Sequence, residues 1–209
     1  MKHLIALITL LGLTFAGNAM GQEYLTPCDS SLRTYTDRVD TIAHGAMPGK
    51  LKLSVTVIPS FTPEWSIGIT SDKGVLYLTY VVFDQSLYDS SWVLAGDAAM
   101  KNDPSAGHAT PIAATVRINQ NLYAALLSEW QKSIGRARPS RRLGLDGVTY
   151  MFELPTNQCA GAWSPAPNTR DRKLVNIVQE LRELASDGEK LASVKSAAII
   201  KALQELPQP

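Results

Sequence analysis

Four arginines fall within the seven positions 136–142, in the stretch GRARPSRRLGLDG: Arg136, Arg138, Arg141 and Arg142. Guanidinium groups set this close can grip carboxylates or phosphates, each offering paired N–H donors in a planar fork. Lys132, one helical turn upstream, adds a further cation. A plainer use competes: cations near a helix C-terminus are favoured by its dipole, and Pro139 and Ser140 mark an exposed turn where charge is readily solvated. The expectation is a solvated loop. If it binds, an acidic protein surface or a cell-wall carboxylate suits it better than a nucleic acid.

Acid–base and metal chemistry has few candidates. Past the N-terminal segment the histidines are His44, in IAHGAMPG, and His108, in SAGHATPI. Neither belongs to an H-x-x-x-H, H-E-x-x-H or Cys/His cluster, so no metal site and no cofactor are expected. His108 stands near Asp97, Asp103 and Ser105, and a serine–histidine–acid arrangement could assemble there, but no G-x-S-x-G elbow marks a nucleophile. Glu64, Asp84, Asp89, Asp97 and Asp146 could supply a carboxylate pair of the glycosidase kind, yet no spacing singles one out. Asp146 is better read as the first residue of a D-G turn. Trp92, beside Tyr88, and Trp163 fall in loop-like sequence. Trp92 is the better interface anchor, whereas Trp163, four residues after Cys159, is expected to pack over a disulfide.

Residues 1–21, MKHLIALITLLGLTFAGNAMG, have a short basic start, an apolar run and small residues at Ala19 and Gly21. That pattern reads as a secretory signal peptide, too short to span a membrane as a helix. Residues 22–209 are then expected as a single exported domain, in the periplasm or secreted, without a membrane anchor. The chain has 20 Lys and Arg against 19 Asp and Glu, and the segment removed holds one lysine and no acid, so the mature chain is formally neutral. A neutral chain lacks the basic field that nucleic-acid binding rests on. Cys28 and Cys159, an even pair in an oxidising compartment, are expected to form a disulfide.

These groups must be held by a fold, and hydrophobic spacing outlines one. Residues 29–43 carry Leu32, Tyr35, Val39 and Ile42 near helical spacing. LKLSVTVI alternates strictly and reads as a half-buried strand; EWSIGIT, VLYLTYVVF, IAATVRI and VTYMFEL follow as strands. Leu122, Leu126, Trp130 and Ile134 make a helical stripe that Asn119 or Asn121 can cap and Gly135 can end. Two amphipathic helices, parted at Gly188, close the chain. Strands and helices that do not alternate regularly predict an α+β class: an antiparallel sheet of about five strands packed by an N-terminal helix, a middle helix and two C-terminal helices. The stretches GLDGVTYMFELP, CAGAWSP and RKLVNIVQELRELA resemble a pattern in small exported bacterial proteins of uncharacterised activity; the likeness covers the last third and implies export without implying chemistry.

Composition and motifs together favour binding over catalysis. The expectation is a periplasmic or secreted interaction protein, such as an inhibitor or immunity-type partner of an envelope-acting enzyme, with Arg136, Arg138, Arg141, Arg142 and Trp92 as contact residues. The alternatives are an envelope hydrolase using His108 with Ser105 and Asp97, or a glycan-binding accessory domain that stacks sugars on loop tryptophans.

Overall fold

The alternating stretches become one antiparallel sheet in the computed structural model, which describes residues 24–28, 33–87, 109–139 and 146–207. In chain order the elements are β1 (Thr26–Pro27), α1 (Arg33–Gly45), β2 (Lys50–Pro59), β3 (Trp65–Asp72), β4 (Val75–Phe83), β5 (Pro111–Ile118), α2 (Gln120–Gly135), β6 (Val148–Leu154), β7 (Gln158–Trp163) and α3 (Arg170–Asp187). A short 3-10 turn (Glu189–Leu191) leads into α4 (Ala192–Gln204). The sheet runs β1-β7-β6-β2-β3-β4-β5. The class is α+β, as the pattern predicts, but the described residues form seven strands and not five. The two extra strands have weak strand chemistry of their own. β7, QCAGAW, is rich in small residues and forms as the return arm of a hairpin whose turn carries Asn157 at φ 58°. β1 is two residues long and pairs with β7 beside the Cys28–Cys159 disulfide.

One face of the sheet carries the main core. Val55 and Val57 of β2, Ile67 and Ile69 of β3 and Phe152 of β6 point into it, each at most 1% exposed. α2, α3 and α4 lie over this face. Leu122, Leu126 and Trp130 are fully buried, as their stripe requires, and the Asn119 side chain caps the helix by accepting from the Leu122 N–H at 2.8 Å. Thr169 caps α3 in the same way, and Gly188, at φ 73°, turns the chain out of it. Across the layer Glu129 and Ser133 of α2 meet Arg170 of α3. The Arg170 guanidinium pairs with Glu129, donates to Ser133 Oγ at 3.1 Å and donates through Nε to the Pro207 carbonyl at 3.2 Å. This knot joins two helices and the C-terminal end of the described chain.

The opposite face corrects an expectation. β2 is not half-buried: Ser54 and Thr56, the polar side of its alternation, are both fully buried, as are Ser66, Thr70 and Thr79 on neighbouring strands. α1 lies across this side. Its Val39 and Ala43, with Met47 just beyond it, form a second, smaller core with Val81 and Phe83 of β4. Gly68 makes the close approach workable, because a Cβ there would stand 2.2 Å from Met47 Sδ. The helix occupies Arg33–Gly45, while residues 29–32, the start of the expected helical stretch with Leu32, lie outside the described residues. Trp163 is likewise corrected. It ends β7 instead of sitting in a loop, at the far end of that strand from Cys159, and its indole lies against Gly147.

Candidate functional site

The first half of the arginine stretch is held more firmly than a solvated loop needs to be. α2 runs out at Gly135, and the N–H groups of Arg136 and Ala137 both return to the Ile134 carbonyl. The next residue leaves the helix and crosses to the N-terminal strand region: the Arg138 N–H donates to the Leu25 carbonyl at 2.8 Å. Leu25 is 1% exposed and belongs to the main core, so that anchor is fixed. Three residues further along, Cys28 is joined to Cys159, with Cα atoms 5.6 Å apart.

The Arg138 side chain adds a second tie, its guanidinium carbon standing 4.4 Å from the centre of the Tyr24 ring. Such stacking is worth about 0.5–1 kcal/mol at an exposed site. Tyr24, Gly135, Arg136, Ala137 and Arg138 line an open groove of about 400 Å³. Both arginines are exposed at its rim, and Lys132 stands one turn back on the same helix end. Two cations with anchored backbones and one aromatic wall line this open groove, a donor set whose chemistry matches carboxylates or phosphates.

Arg141 and Arg142 lie outside the described residues, as do Trp92 and Tyr88 and the whole set Asp97, Asp103, Ser105 and His108. Asp89 does as well. Of the remaining carboxylates, Asp146 is exposed next to Gly147, whose N–H donates to the Ser60 hydroxyl oxygen at 2.9 Å. Asp84 is exposed and receives the Thr110 N–H at 2.8 Å. Glu64 is fully buried and works as a staple: it accepts from the Tyr35 hydroxyl, from Ser86 Oγ at 2.8 Å and from the Leu87 N–H at 2.8 Å.

Two titratable groups belong to α1: His44, already a candidate by residue type, and Asp40, which residue types did not single out. Asp40, 6% exposed, accepts from the Thr56 hydroxyl, which stands 3.3 Å from Ser66 Oγ. Burial pushes the Asp40 carboxyl up to about 6, against a smaller lowering by the Thr56 hydrogen bond, with nearby Asp37 raising it further. His44, one turn along the same helix, has its pKa lowered by burial, and its Nε2 has no hydrogen-bond partner among the described residues. Asp40 and Glu64 both face inward, so they hold α1 and the chain after β4 to the sheet and offer no carboxylate to a substrate. Among the described residues no three His, Cys, Asp or Glu side chains come close enough to hold a metal ion, and no helix is long and apolar enough to cross a membrane.

Tyr24 is the site residue that sequence reasoning missed. Its signal was slight, a single aromatic opening YLTPC, and its partner arginine lies far along the chain. No protein-family model matches the chain, and neither a curated protein nor a solved structure shows significant similarity to it.

Proposed function

We propose that the protein is an exported binding protein that docks an acidic surface of an envelope protein against the arginine face at the end of α2. The observation that carries this reading is the anchoring of Arg138, whose backbone is bonded to Leu25 while its guanidinium stacks on Tyr24. A loop whose only role is to carry charge in water needs neither tie. Holding the arginines in place lowers the side-chain entropy lost on binding, which is how a preorganised contact gains affinity. The disulfide supports an oxidising compartment, in keeping with the signal-like N-terminus. Arg141 and Arg142 extend the same patch along the sequence, and an inhibitor or immunity-type role toward an envelope-acting enzyme suits a basic face on a chain of neutral balance.

The test is charge reversal. Arg136→Glu combined with Arg138→Glu changes two exposed side chains and leaves the Arg138 N–H in place. Capture of the partner from an envelope extract should fall by at least about tenfold, since charge-assisted hydrogen bonds contribute about 1.5–3 kcal/mol each. Circular dichroism and thiol titration should show an unchanged fold and an intact disulfide. Undiminished capture by that folded variant would refute the reading.

A further inference from the structure

β5 ends the sheet: it pairs with β4 on one side, and no described strand lies on the other. The direction of its backbone groups follows from one bond. The Asp84 N–H donates to the Thr110 carbonyl at 3.2 Å, which makes Asp84 and Thr110 a bonded pair at the start of the ladder. Bonded and non-bonded pairs alternate in an antiparallel ladder. Ile112, Ala114, Val116 and Ile118 therefore bond to β4, while Ala113, Thr115 and Arg117 direct N–H and C=O away from it. Pro111 falls at an outward position, where its missing N–H costs the ladder nothing. The side-chain contact between Thr79 and Thr115, at 3.1 Å, belongs to the closer, non-bonded kind of pair and agrees.

This edge has few of the devices that keep sheets apart. Ala113, Thr115 and Arg117 are exposed, and the strand carries one charge over eight residues. Ile112, on the helix-covered face, is 58% exposed, an unusual state for a large apolar strand residue.

We propose that β5 pairs antiparallel with β5 of a second copy of this chain, about a two-fold axis at Thr115, joining two seven-stranded sheets into one. The strand is complementary to itself in that register. A two-fold that keeps the helix layers of both copies on one side of the joined sheet requires like faces to meet. Centring it on Thr115 satisfies that requirement and keeps Pro111 out of the paired segment. Thr115 exchanges both its bonds with its own mate, and Ala113 exchanges both of its bonds with Arg117 of the second copy. On the helix side Ile112 meets Ile118 of the second copy, and Ala114 meets its Val116, which covers the exposed isoleucine with an apolar neighbour. No like charges face each other. Centring on Ala114 would instead place Pro111 where an N–H is needed, and centring on Val116 would lose the Ala113 bonds.

The experiment uses the oxidised mature chain and measures its mass by sedimentation equilibrium. A dimer is expected, with Thr115→Lys reduced to the monomer mass because two ammonium groups meet at the axis. A second variant reads the register directly. Thr115→Cys places two thiols on a bonded pair with Cα atoms about 5.5 Å apart, within disulfide reach, so mild oxidation should yield a covalent dimer. Ala124→Cys, on the exposed side of α2, should not crosslink. A monomer at millimolar concentration overturns the proposal. So does a dimer that survives Thr115→Lys, or one that Thr115→Cys fails to trap.

Discussion

Replacing Asp40 by Asn should make the protein more stable at neutral pH and remove Asp40's share of the pH dependence between 4 and 6. Asp40 is buried beneath α1, and that burial lifts its carboxyl from 3.8 to about 6. Unfolded, the group loses its proton near the lower value; folded, it keeps it to the higher one. Between the two the native state holds more proton, so stability is greatest at acid pH and falls as pH rises through 6. At about 1.4 kcal/mol for each tenfold change in proton affinity, the loss comes to roughly 3 kcal/mol above pH 6. Asparagine has nearly the same shape, carries no charge and keeps an oxygen that accepts from the Thr56 hydroxyl. His44 works in the opposite sense: burial lowers its pKa, so its contribution is lost as pH falls below 6.5. It is common to both proteins and cancels in their difference. Urea unfolding of wild type and Asp40→Asn, followed by circular dichroism at several pH values with the disulfide intact, reads that difference. The variant should match wild type near pH 4 and exceed it by up to about 3 kcal/mol at pH 7. A difference that does not change with pH, or an Asp40→Asn protein less stable at pH 7, would refute the reasoning.

Glu129→Ala strands the Arg170 guanidinium in a site 8% exposed and should cost about 3–5 kcal/mol in a urea titration, the usual loss when one partner of a buried pair is removed. A loss below about 1 kcal/mol would mean that Ser133 and the Pro207 carbonyl suffice to hold the arginine. The Cys28→Ser, Cys159→Ser double variant opens a loop spanning 131 residues of sequence. Chain entropy alone then predicts about 5 kcal/mol of lost stability, readable as a lower urea midpoint. An unchanged midpoint would place the disulfide outside the cooperative core.

Legibility of the fold in the sequence followed the range of the interactions. The five strands with branched and aromatic residues, the α2 stripe with its Asn119 cap and the break at Gly188 are local patterns, and each could be found by spacing alone. β7 and β1 could not, because the small residues of QCAGAW and a two-residue Thr-Pro strand pair only when β6 and the disulfide bring partners to them. The polar side of β2 was misread for a related reason. Ser54 and Thr56 look solvated in a list of residue types, and only α1 packing over them makes them internal. The partner of Thr56, Asp40, is sixteen residues away on another element. The arginines of the candidate site were plain from composition, but what holds them was not: Tyr24 and Leu25 reach Arg138 across the fold from the other end of the chain.

Affinity capture tests most directly the proposed docking of a protein against the arginine face. Tagged wild type and the Arg136→Glu, Arg138→Glu variant, each first shown to be folded and disulfide-bonded, are passed through the same envelope extract and the retained proteins quantified by mass spectrometry. One stoichiometric partner is expected on wild type, released by salt and depleted on the variant. No partner on wild type, or equal recovery on both, would contradict it.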